Sequence, residues 1–69
     1  MLVSVDVKKL KEVRQKNGLS MHALSKKSGL GKNAVQQIES EMYGKCSYIR
    51  LKEIAKQLNV DVNDLVKKD

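Results

Sequence analysis

Sixty-nine residues with 14 Lys or Arg against 8 Asp or Glu, a formal charge of +6, have room for one small domain and no second. With no Phe or Trp and two Tyr the core must be aliphatic, lone Cys46 excludes an internal disulfide, and no apolar run is long enough to span a bilayer. A reduced, cytoplasmic protein without a signal peptide or membrane partner is expected, and so small a core without a staple makes self-association an expectation too.

The charge is unevenly placed. From Lys8 to Lys32 there are eight Lys or Arg and one acid, Glu12, whereas Cys46 to Asp69 carries five basic and four acidic residues. A basic first half suits a polyanion such as nucleic acid, although a surface that merely keeps the protein in solution would look similar.

In chain order, Val3, Val5 and Val7 alternate with Ser4 and Asp6, as in a short strand with one apolar face. Residues 1–6 are therefore expected to form either a strand, paired with something such as the same strand of a second subunit, or a flexible arm. A first helix should start at an Asp6 cap and run to about Lys16, with Val7, Leu10 and Val13 on one face and Asn17-Gly18 as its stop. Ser20 caps a second helix that reaches Ser28, with Leu24 as its main core residue and Gly29 ending it.

Gly31 is the expected cap of a third helix, Lys32 to about Ser40. Ala34, Val35 and Ile38 cluster on one side of it, and Lys32, Asn33, Gln36 and Gln37 almost opposite. Stability asks only that the outer face be polar, and Glu or Lys is the usual filling. Three carboxamides among four outer positions are unusual. Glu41 to Cys46 reads as a loop. Ser47 then caps a fourth helix with a core stripe of Tyr48, Leu51, Ile54, Ala55 and Leu58, and Asp61 caps a short fifth, Val62 to about Lys67, anchored by Leu65. The expected fold is all-α, a bundle of five short helices forming a single domain over residues 1–69.

Leu10, Arg14, Gly18-Leu19-Ser20, Leu24, Gly29, Val35, Ile38-Glu39, Leu51, Ile54-Ala55, Leu58, Val60 and Leu65 together follow a known pattern. Over about Val7 to Val66 the chain resembles the phage repressor and Cro-like (XRE-type) helix-turn-helix family of DNA-binding proteins. The resemblance implies a lambda-repressor-like domain whose third helix lies in the major groove while the second crosses the sugar-phosphate backbone. Lys32, Asn33, Gln36 and Gln37 are then the expected base readers. A carboxamide offers a donor and an acceptor together, matching adenine N6 and N7, and Lys can donate to guanine O6 and N7.

Backbone contacts are expected from Ser20, Met21 and His22 at the start of the second helix, and from Ser40, Tyr43 and Lys45 after the third. The resemblance also implies an ion pair between Arg14 and Glu39. Three positions depart from the family. Met21 stands where a DNA-contacting Gln is usual, and its thioether cannot donate a hydrogen bond. Ser25 replaces the usual Ala and Ser28 a usual aliphatic, and each hydroxyl is expected to bond the carbonyl one turn back.

The function expected is a sequence-specific transcriptional regulator, a repressor binding double-stranded DNA as a homodimer on a palindromic operator. A protein-interaction module of the same fold, such as an antitoxin or anti-repressor, is the alternative. An enzyme is not expected, because no nucleophile, metal cluster or phosphate-binding loop stands out. Lone His22 has no second His for a metal site, and Cys46 reads as a passive thiol. No cofactor or small-molecule ligand is expected.

Overall fold

The computed structural model describes residues 1–40 and 44–68. Its elements are β1 (Leu2–Ser4), α1 (Val7–Lys16), α2 (Met21–Lys27), α3 (Ala34–Glu39), β2 (Lys45–Ser47), α4 (Tyr48–Leu58) and a 3₁₀ helix (Val62–Leu65). Among the described residues the fold is mostly helical, with four α-helices and a two-stranded sheet in place of the five helices expected.

Local chemistry starts most of these helices. Asp6 Oδ1 accepts from Lys9 N, Ser20 Oγ from Ala23 N and Ser47 Oγ from Arg50 N, each satisfying an N–H that the first turn cannot. Gly18, Gly29 and Asn59 have positive φ, +68°, +73° and +59°, where α1, α2 and α4 end. α3 starts two residues later than expected and its cap position is Asn33 rather than Gly31. Lys32 and Asn33 form a turn in which Ala34 N donates to Gly31 O at 2.9 Å.

The expected fifth α-helix is only a 3₁₀ turn, because the chain beyond it is used elsewhere. Val66 is extended and bridges Val5, Asp6 N donates to Leu65 O, and Lys67 N donates to Ser4 O. On its other edge β1 pairs antiparallel with β2, in the register Leu2–Ser47, Val3–Cys46 and Ser4–Lys45. The strand expected at the N-terminus thus finds pairing partners within its own chain. Part of the expected Glu41–Cys46 loop is strand β2; its Glu41–Tyr43 portion, and with it the Tyr43 contact, lies outside the described residues.

Leu10, Leu24, Val35, Leu51, Ile54 and Leu65 are fully buried and draw every helical element onto one core, which also takes in Val5 and Ile38. Each such side chain contributes about 1.5–3 kcal/mol relative to exposure. Cys46 joins this core from β2. Burial pushes its thiol pKa up, against the opposing pull of the Arg50 charge and a hydrogen bond from the Leu51 backbone. Among the described residues no helix is long and apolar enough to cross a membrane.

Candidate functional site

Leu24 of α2 and Val35 and Ile38 of α3 face inward, and the Gly29–Gly31 turn between the helices sets α3 across α2. The opposite side of this segment is polar. Lys32, Asn33, Gln36 and Gln37 are all exposed. Gly29, Gly31, Lys32, Asn33 and Gln37 line one shallow groove, and Arg50 of α4 closes it. Arg50 is the functional candidate that reading the sequence missed. It is simply an exposed position of α4 until the fold, in which α2 packs on both α3 and α4, places it on the rim of the groove that Gln37 also lines.

A buried ion pair fixes the far end of α3. Arg14 Nε donates to Glu39 Oε2 at 2.7 Å and Nη2 to Oε1 at 3.1 Å, while Nη1 donates to the Leu19 carbonyl at 2.8 Å. The two side chains are only 10% and 3% exposed. A bidentate, nearly dry pair of this kind locks α3 to α1 in one orientation.

The near end of α3 is fixed by a serine. Ser25 Oγ is fully buried, donates to Met21 O at 2.8 Å and accepts from Val35 N at 2.8 Å. Ser28 differs from the expectation: its buried hydroxyl finds no hydrogen-bond partner among the described residues, at the carbonyl one turn back or elsewhere.

The remaining candidates are spread around this centre. Ser20 and His22 are exposed at the start of α2, Ser40 is half-buried at the end of α3, and Lys45 is exposed on β2. Met21 is half-buried and packs against the core while its carbonyl serves Ser25. Among the described residues no group of His, Cys, Asp or Glu is assembled that could hold a metal.

A glycine turn joining two short helices, the second locked at both ends with its polar side outward, defines a lambda-repressor-like helix-turn-helix domain. The chain belongs to the helix-turn-helix family of XRE type, whose model matches residues 10–65. This is a family of DNA-binding domains, not of enzymes. Among solved structures the chain is similar to SinR, the master regulator for biofilm formation, in a crystal structure of its complex with DNA. That match has a TM-score of 0.76 and 26% identity, covering 83% of this chain and 90% of the SinR chain. Comparison with curated proteins gives no match.

Proposed function

We propose that this chain is a sequence-specific transcriptional regulator, a repressor that binds double-stranded DNA as a homodimer on a palindromic operator. The observation that carries this reading is one exposed polar face, Lys32 and Asn33 in the turn before α3 and Gln36 and Gln37 on its outer side, with the helix itself held by its inner side. Lys32, Asn33 and Gln37 read base edges in the major groove, and Gln36 reads a neighbouring edge or meets a phosphate. Ser20, His22, Ser40 and Lys45 contact the sugar-phosphate backbone, and Arg50 adds a cation beside Gln37. Met21 serves this surface by packing under it. Likeness to SinR, which has been crystallised on DNA, supports the same use here.

The test is selection of bound sites from random duplex DNA, followed by affinity measurements on single-base variants of the preferred site. Gln37→Ala is expected to cost about 1–3 kcal/mol on the preferred site and to relax the preference at one base pair. Equal weakening on every sequence would show that Gln37 is not a reader. Binding should also fall steeply with salt as lysines displace condensed counterions. A salt-independent complex with a protein and no operator would instead favour the protein-interaction module.

For the dimer, Leu2 and Ile49 are 70% and 75% exposed and, with Met1, are the exposed large apolar residues where β1 meets the start of α4. Leu2 lines a second, neighbouring groove that also reaches Gln37 and Arg50, so a second copy seated there lies beside the reading face. Two readers related by a twofold axis suit half-sites about 34 Å apart. Replacing both Leu2 and Ile49 with Ser is expected to weaken dimerisation about 100-fold in sedimentation experiments. An unchanged dimer would place the interface elsewhere.

A further inference from the structure

Five residues occupy the cap positions of the helical elements, and four of them bond into their own element. Asp6, Ser20, Ser47 and Asp61 accept from Lys9, Ala23, Arg50 and Asn63 respectively. Asn33, chemically as good a cap as any of them, makes no such bond. Its backbone sits at φ −108°, ψ 10°, whereas Ser20, Ser47 and Asp61 are extended, the geometry from which a cap side chain folds over its first turn. The first turn of α3 nevertheless has a side-chain acceptor. Val35 N donates to Ser25 Oγ, ten residues earlier and on a different helix. The back-bond to Met21 O uses the serine's own proton, so its oxygen is presented to Val35 as an acceptor.

We propose that Ser25 caps the recognition helix from α2 and thereby releases the Asn33 carboxamide to hydrogen-bond a base edge. Ser25 is a positioning residue, buried away from the ligand, and the idea rests on the DNA-reading role proposed for α3. Without the serine oxygen, the buried Val35 N–H would be left without an acceptor. Asn33 is placed to replace that acceptor by swinging into the ordinary cap geometry. Doing so would withdraw its carboxamide from the groove it shares with Lys32 and Gln37.

The test compares the native chain with Ser25→Ala, Asn33→Ala and the double variant, by thermal unfolding and by affinity for selected duplex sites and their single-base variants. In the native background Asn33→Ala should shift Tm by no more than about 3 °C, leave Val35 amide exchange slow, and weaken the preferred site about tenfold at one base pair. Ser25→Ala should abolish the preference at that base pair and keep the one assigned to Gln37. In the Ser25→Ala background, adding Asn33→Ala should lower Tm by about 4–8 °C, because Asn33 has become the cap, with no further loss of affinity.

A fall in Tm of more than about 3 °C, or fast Val35 exchange, on Asn33→Ala in the native background would overturn the proposal, and this comparison stands even if Ser25→Ala does not fold. If Ser25→Ala keeps the Asn33-dependent preference, the release idea fails while DNA reading survives. If the native chain shows no base preference, the DNA reading itself fails and takes this inference with it.

Discussion

Replacing Arg14 with Ala is expected to destabilise the fold by about 3–5 kcal/mol, because Glu39 would remain buried as a charge without a partner. The Leu19 carbonyl would lose its donor in the same step. For a chain of this length total stability is about 3–10 kcal/mol, so the variant would be largely unfolded near the lower end of that range. Urea unfolding of native and variant chains measures the difference. The double replacement Arg14→Met with Glu39→Leu should recover most of the loss, since it removes both charges and keeps apolar volume. The cost therefore lies in stranding one charge more than in losing an attraction. An unchanged urea midpoint for Arg14→Ala would show that the pair is not holding α3 to α1. Any DNA affinity should fall with the fraction folded in Arg14→Ala and return with it in the double variant.

Leu24→Ala should cost about 2–5 kcal/mol, the transfer term for the lost carbons plus the cavity left behind. Leu24 is fully buried where α2 packs on α3 and α4. Nearby side chains can collapse only partly into the space, since both ends of α3 are tied, by Ser25 and by Arg14. For a domain this size each kcal/mol moves Tm by about 4–8 °C, so a drop of at least about 8 °C is expected in a thermal melt. Lys26→Ala, on the exposed side of the same helix, should stay within about 0.5 kcal/mol of the native chain. If Leu24→Ala and Lys26→Ala melted together, Leu24 would not be the residue that joins α2 to the core.

The starts of α1, α2 and α4 were legible because Asp6, Ser20 and Ser47 cap N–H groups only three residues away. In the α4 stripe Leu51, Ile54, Ala55 and Leu58 are legible because burial on one helix side follows directly from the 3.6-residue period, whereas Tyr48, expected with them, is only half-buried at the first position of the helix. The expected start of α3 at Lys32, behind a Gly31 cap, is two residues early; the side-chain acceptor of its first turn is Ser25, and no local pattern couples positions 25 and 35. The fifth helix was overextended for a related reason. Val62 to Lys67 has a good cap and an apolar anchor, but backbone pairing with Ser4, Val5 and Asp6 takes Val66 and Lys67 out of helical geometry.

β2 was not visible at all. Lys45-Cys46-Ser47 has one apolar residue and no alternating run, and it is a strand only because β1 lies beside it. Arg50 belongs to the same class, since its place in the groove depends on how α4 packs. Nor do the residues alone say that an arginine late in α1 should meet a glutamate at the end of α3; that pairing was implied only by family resemblance.

Amino-acid order therefore settles what interactions within one or two helical turns can settle: three of the four α-helix starts, the apolar stripes, and the polar outer side of Lys32, Asn33, Gln36 and Gln37. Tertiary structure decides whatever joins residues far apart in the chain: the β1–β2 pairing, the Arg14–Glu39 lock, the Ser25 cap and the Arg50 rim of the groove. The physical reason is that each of these contacts needs the intervening chain closed into place first, and that closure is supplied by the common core rather than by any neighbouring residue.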